Sequence, residues 1–79
     1  MYVYKVWYEQ DFKHPDDIEI VNVGSLVPFV KNMIIDDRIR DDTLNDFYKD
    51  FGGMPDIEPD AIQLLEMDGY RVEKVKVYE

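Results

Sequence analysis

The sequence predicts an α+β domain built on a small, mainly antiparallel sheet, and three features predict it. The chain starts with a period-two aromatic stretch, continues through two amphipathic helical stretches, and carries an Asp68-Gly69 dipeptide between apolar runs near its end. The expected order of elements is β-β-α-α-β-β, with both helices packed on one face of the sheet. All 79 residues are expected to form a single domain, 1–79.

From Tyr2 to Glu9 the side chains alternate, with Tyr2, Tyr4, Val6 and Tyr8 on one face and Val3, Lys5, Trp7 and Glu9 on the other. Aromatic and β-branched residues in that pattern favour a strand. The turn-forming cluster His14-Pro15-Asp16-Asp17 follows, and Ile18 to Val23 reads as a second short strand, so the two are expected to pair as a long-looped hairpin. A helix is predicted from Leu26 to about Asp36, with Ser25 as its N-cap and Pro28 in the first turn, where a missing donor costs little. Leu26, Phe29, Val30, Met33 and Ile34 recur at three and four residues and give it an apolar side.

Asp41 or Asp42 is expected to cap a second helix, with Leu44, Phe47, Tyr48 and Phe51 as its apolar stripe and Gly52-Gly53 as its stop. Between the helices, 36–42 reads either as a connection or as a continuation supported by Asp36–Arg40 and Arg38–Asp42 pairs at i,i+4. Met54 to Pro59 reads as an extended linker. Asp68-Gly69 suits a type I′ turn, which needs positive φ, so Ala61–Met67 and Tyr70–Tyr78 are expected to be paired strands. A helix over 59–67 is the alternative, because Pro59 fits a first turn and Leu and Glu favour helices.

A domain of this size buries only roughly 60% of the surface its unfolded chain exposes. With no cysteine, it has neither disulfides nor thiolate zinc sites to brace it, so apolar burial must carry the fold, aided by any self-association. The 46% of apolar residues are enough for a core. Met1-Tyr2-Val3-Tyr4-Lys5 has no secretory pattern, and the longest apolar run, Leu26 to Val30, is far below the ~20 residues of a membrane span. A soluble cytoplasmic protein is therefore expected.

The formal charge of −9 is unevenly placed: between Asp36 and Asp68 eleven acids face three bases. Such a block repels nucleic acid and anionic membrane and attracts basic protein surfaces, so direct nucleic-acid binding and membrane binding are not expected. Catalysis is not expected either, because the chain has one histidine (His14), one serine (Ser25) and one threonine (Thr43) from which to build a nucleophile and base. His14 suits an exposed turn and Ser25 a cap. No window around Asp36, Asp37, Asp41 and Asp42 fits an EF-hand loop, and Arg38 and Arg40 sit inside that cluster, so neither a metal nor any other cofactor is expected.

One acidic feature has a geometric basis. At ~100° per residue Asp42, Asp46 and Asp50 lie opposite the apolar stripe of the second helix, about 6 Å apart. That row is sparse beside duplex DNA, which carries one charge per ~1.7 Å of axis, and Asp56, Glu58 and Asp60 are the candidates for a second row. The expected function is a non-enzymatic acidic module that binds a basic protein, in its most concrete form a nucleic-acid-mimicking inhibitor. In size and charge the chain is similar to small acidic phage-encoded inhibitors, a likeness of composition that covers no motif. The bland reading is a charged outer face that serves solubility. The alternative function is a structural protein that forms a homo-oligomer through its aromatic strand or helical face.

Overall fold

Alternation in the first strand decides where the rest of the chain packs. The computed structural model describes residues 2–8 and 18–77; the segment carrying His14 lies outside them. Strand β1 (Tyr2–Tyr8) is central, paired antiparallel on one side with β2 (Glu19–Asn22) and on the other with β3 (Tyr70–Lys76). Val21 lies across from Tyr4, and Val72 and Tyr70 lie across from Val6 and Tyr8, so these side chains share one face of the sheet. That face is the floor of the core.

A 3-10 turn at Val23–Ser25 leads into α1 (Leu26–Ile35), followed by α2 (Asp41–Phe51) and α3 (Glu58–Met67). Leu26, Val30 and Met33 from α1, Phe47 from α2, and Ala61, Leu64 and Leu65 from α3 form one buried cluster with Tyr4, Val6 and Val21 of the sheet. The fold is therefore α+β, as its strand and helix patterning predicts. No helix among the described residues is long and apolar enough to cross a membrane.

Three local expectations are corrected, and one open choice is settled. Residues 61–67 form helix α3, not a strand, so the element order is β-β-α-α-α-β with three helices, and β3 pairs with β1 and not with its own predecessor. The physical reason lies in the apolar spacing: Ala61, Leu64 and Leu65 recur at three and four residues, whereas strand alternation would leave neither face cleanly apolar. Pro59 stands in the first turn without costing a hydrogen bond, and Glu58 and Asp60 favour that positive end. Gly69 does adopt positive φ, at 96°, but as the residue that ends α3, its N–H donating to the Glu66 carbonyl at 3.1 Å.

The second point concerns 36–42: of the two readings the sequence allows, the connection holds over 36–40, and Asp41 and Asp42 already belong to α2. Helix α1 ends in a Schellman arrangement: Asp37 is left-handed at φ 60°, its N–H donates to the Ile34 carbonyl at 3.2 Å, and Arg38 N–H donates to the Met33 carbonyl at 2.9 Å. The arginines do not pair at i,i+4; Arg38 Nη2 donates to Glu19 Oε1 at 2.8 Å and Arg40 Nε to Asp68 Oδ1 at 2.9 Å. Third, Arg40 occupies the N-cap of α2, with Asp41 and Asp42 inside its first turn, and Ser25 stands at the N-cap of α1 without a side-chain capping bond. Fourth, Phe47 is fully buried, but Leu44 is only half-buried and Phe51 is 45% exposed, stacked on Phe47 with ring centroids 4.4 Å apart.

Candidate functional site

Helix α2 ends cleanly because Gly52, left-handed at φ 81°, donates its N–H to the Tyr48 carbonyl at 2.8 Å. Its start is held from outside. The Asp68 carboxylate, 2% exposed, accepts through Oδ1 from Arg40 N–H at 3.3 Å, Arg40 Nε at 2.9 Å and the Thr43 hydroxyl at 2.9 Å. A buried carboxylate at a helix N-terminus also meets the positive end of the macrodipole. Burying Phe47 and Thr43 on one side then fixes which residues point away. Asp42, Asp46 and Asp50 are exposed, one turn apart, in a row about 100° around α2 from the buried row of Thr43 and Phe47. Lys49 is the one base within α2 and lies beside this row.

The other three predicted acids sit in different surroundings. Asp56 is exposed in the α2–α3 connection, where Lys31 Nζ donates to its Oδ1 at 3.1 Å. Glu58 opens α3 half-buried, and its Oε2 accepts from the Tyr4 hydroxyl at 3.0 Å. Asp60 is half-buried in the same first turn. Thus α2 carries three members as one row, while Asp56, Glu58 and Asp60 follow along the connection and start of α3, with Asp56 and Glu58 engaged within the fold. The Tyr4 phenol is pushed above its ordinary value, first by burial and then by the hydrogen bond and negative charge of Glu58.

Two features escaped the sequence reading. Asp68 belongs to the acidic block by sequence but is interior, so it braces α2 and adds nothing to the surface. Phe51, Met54 and Ile57 are 45%, 41% and 56% exposed and sit immediately beside Asp50 and Asp56. The signal for the second was present: the Gly52, Gly53 and Pro55 between these three large apolar residues interrupt any helix or strand that could bury them on one face. Thr43, which with Ser25 makes up the aliphatic hydroxyls of the chain, is buried as a donor to Asp68.

Among the described residues, no three His, Cys, Asp or Glu side chains are grouped to hold a metal ion. A groove of about 380 Å³ between β2 and α1, lined by residues including Ile20, Pro28, Phe29 and Asn32, contains none of the six acids. Compared with protein-family models, curated proteins and solved structures, the chain shows no match, so a functional reading rests on its own residues.

Proposed function

We propose that the chain is a non-enzymatic protein-binding module, acting in the cytoplasm, whose acidic surface engages a basic protein and inhibits nucleic-acid binding by occupying the phosphate-holding groove. The observation that carries the reading is the row Asp42, Asp46 and Asp50, exposed at helical pitch on a helix that buries Phe47 and Thr43 on a different face. Asp56, Glu58 and Asp60 extend it, with smaller contributions from Asp56 and Glu58, which Lys31 and Tyr4 already engage. The row imitates a phosphate backbone in sign and not in density, since neighbouring charges lie about 6 Å apart along the helix. Such a surface gives steering and salt sensitivity more than raw affinity.

Competition tests the inhibitory part. A protein captured from lysate by the immobilised chain is expected to bind DNA or RNA, and added chain is expected to displace that nucleic acid. A captured protein that holds chain and nucleic acid together without loss of affinity for either would rule out mimicry. The exposure of Phe51, Met54 and Ile57 favours a second reading, assembly of a homo-oligomer in which the acids only maintain solubility. Sedimentation over a range of concentrations separates the two, because only assembly predicts concentration-dependent growth in mass.

A further inference from the structure

Phe51, Met54 and Ile57 are exposed at the corner where the chain turns from the end of α2 to the start of α3. Six peptide links separate the first from the last, so they lie within about 23 Å even along an extended path, and the left-handed Gly52 turns that path. The corner is held in place. Phe51 stacks on buried Phe47, Pro55 is fully buried, Lys31 pairs with Asp56, and the Ile57 carbonyl accepts from Ala61 N–H at 3.1 Å. Apolar side chains are thus presented on an ordered turn, which lowers the cost of fixing them on binding.

The surrounding charge says what fits. From Asp50 to Asp60 the chain carries four acids, Asp50, Asp56, Glu58 and Asp60, and no base; Lys31 from α1 pairs with Asp56 and Lys49 precedes Asp50, so the surroundings of the corner stay net negative. We propose that this corner anchors the acidic interface by seating an apolar side chain of a basic amphipathic segment, whose lysines or arginines lie against those acids. The inference rests on the protein-binding reading above and identifies the partner segment that reading requires. A second copy of the chain would bring the same acids to the corner, and a neutral apolar partner would strip water from them without supplying a counter-charge. An apolar centre with a charged rim is also the arrangement that concentrates binding energy at an interface.

Two synthetic helical peptides of equal positive charge test it: one with lysines opposite a leucine face, the other with those leucines replaced by glutamine. The leucine peptide is expected to bind about tenfold more tightly. A Met54→Gln/Ile57→Gln variant is expected to erase that difference while leaving the glutamine peptide's affinity and the melting temperature unchanged; Phe51 is spared because it supports Phe47. Equal binding of the two peptides to the wild-type chain overturns the anchor and leaves the electrostatic reading standing. Failure of both to bind at low salt overturns the two together. A dimer that the same double variant dissociates makes a second copy the occupant and overturns the proposal.

Discussion

The Asp68 carboxylate joins the turn before β3 to the start of α2, and its partners are a backbone N–H, a guanidinium and a hydroxyl. Removing it orphans the Arg40 N–H and the Thr43 hydroxyl, so Asp68→Ala is expected to cost about 2–3 kcal/mol in urea unfolding, and Thr43→Val about 1 kcal/mol. A loss below 0.5 kcal/mol for Asp68→Ala, on the order of a neutral surface change, contradicts the bracing role. Tyr4 gives a pH prediction. Its folded pKa is raised, so its contribution to stability is fully present below about pH 10 and is lost as pH rises through the raised value. Tyr70 is raised in the same direction, chiefly by burial. Alkaline titration followed by circular dichroism and tyrosinate absorbance is expected to show late phenols ionising together with loss of fold; Tyr4→Phe should remove one of them. The Asp68-Gly69 pair was legible as a place needing positive φ, but a hairpin turn and a helix stop ask the same of glycine. Only the residues before it separate them.

Helix α3 shows where that separation lies, since Ala61, Leu64 and Leu65 obey the helical period and fail strand alternation. Gln63 is exposed in its interior, so Gln63→Pro is expected to cost about 3 kcal/mol or more by removing a hydrogen bond and crowding the preceding turn. Near-native stability in that variant contradicts a helix there. Helix α2 was legible by period and by its glycine stop, and the row of aspartates follows directly from the same geometry. Its extent of burial was not legible, because the wheel gives direction and not depth: Phe51 points with Phe47 but, as the last residue of α2, is 45% exposed. Phe47→Ala is accordingly expected to cost about 3–5 kcal/mol, and Phe51→Ala no more than about 1.5 kcal/mol, the order of an aromatic pair. Equal losses contradict the difference in burial. The end of α1 was placed at about Asp36, but whether helix resumed across 36–42 stayed open, because the stop uses a left-handed Asp37 where sequence signals favour glycine.

Over the whole molecule, the fold divides the acidic block into parts with different duties. Asp68 goes inside, Asp56 and Glu58 pair with Lys31 and Tyr4, and Asp42, Asp46 and Asp50 remain as an exposed row on a helix that packs chiefly on α3. That partition depends on long-range contacts, Tyr4 with Glu58 and Arg40 with Asp68, which local spacing does not reveal. The exposed row carries no folding role of the kind Asp68 has, since solvent-exposed charges contribute little singly and like charges along one helix repel. The role proposed for this row is contact with a basic protein. Its most direct measurement is the association rate of a captured partner with wild-type chain and with Asp46→Asn/Asp50→Asn, taken across ionic strength, beside the melting temperature of each. The account predicts an unchanged or slightly raised melting temperature with a slower, less salt-sensitive association, most visibly at low salt; an association rate indifferent to both the substitutions and the salt would contradict it.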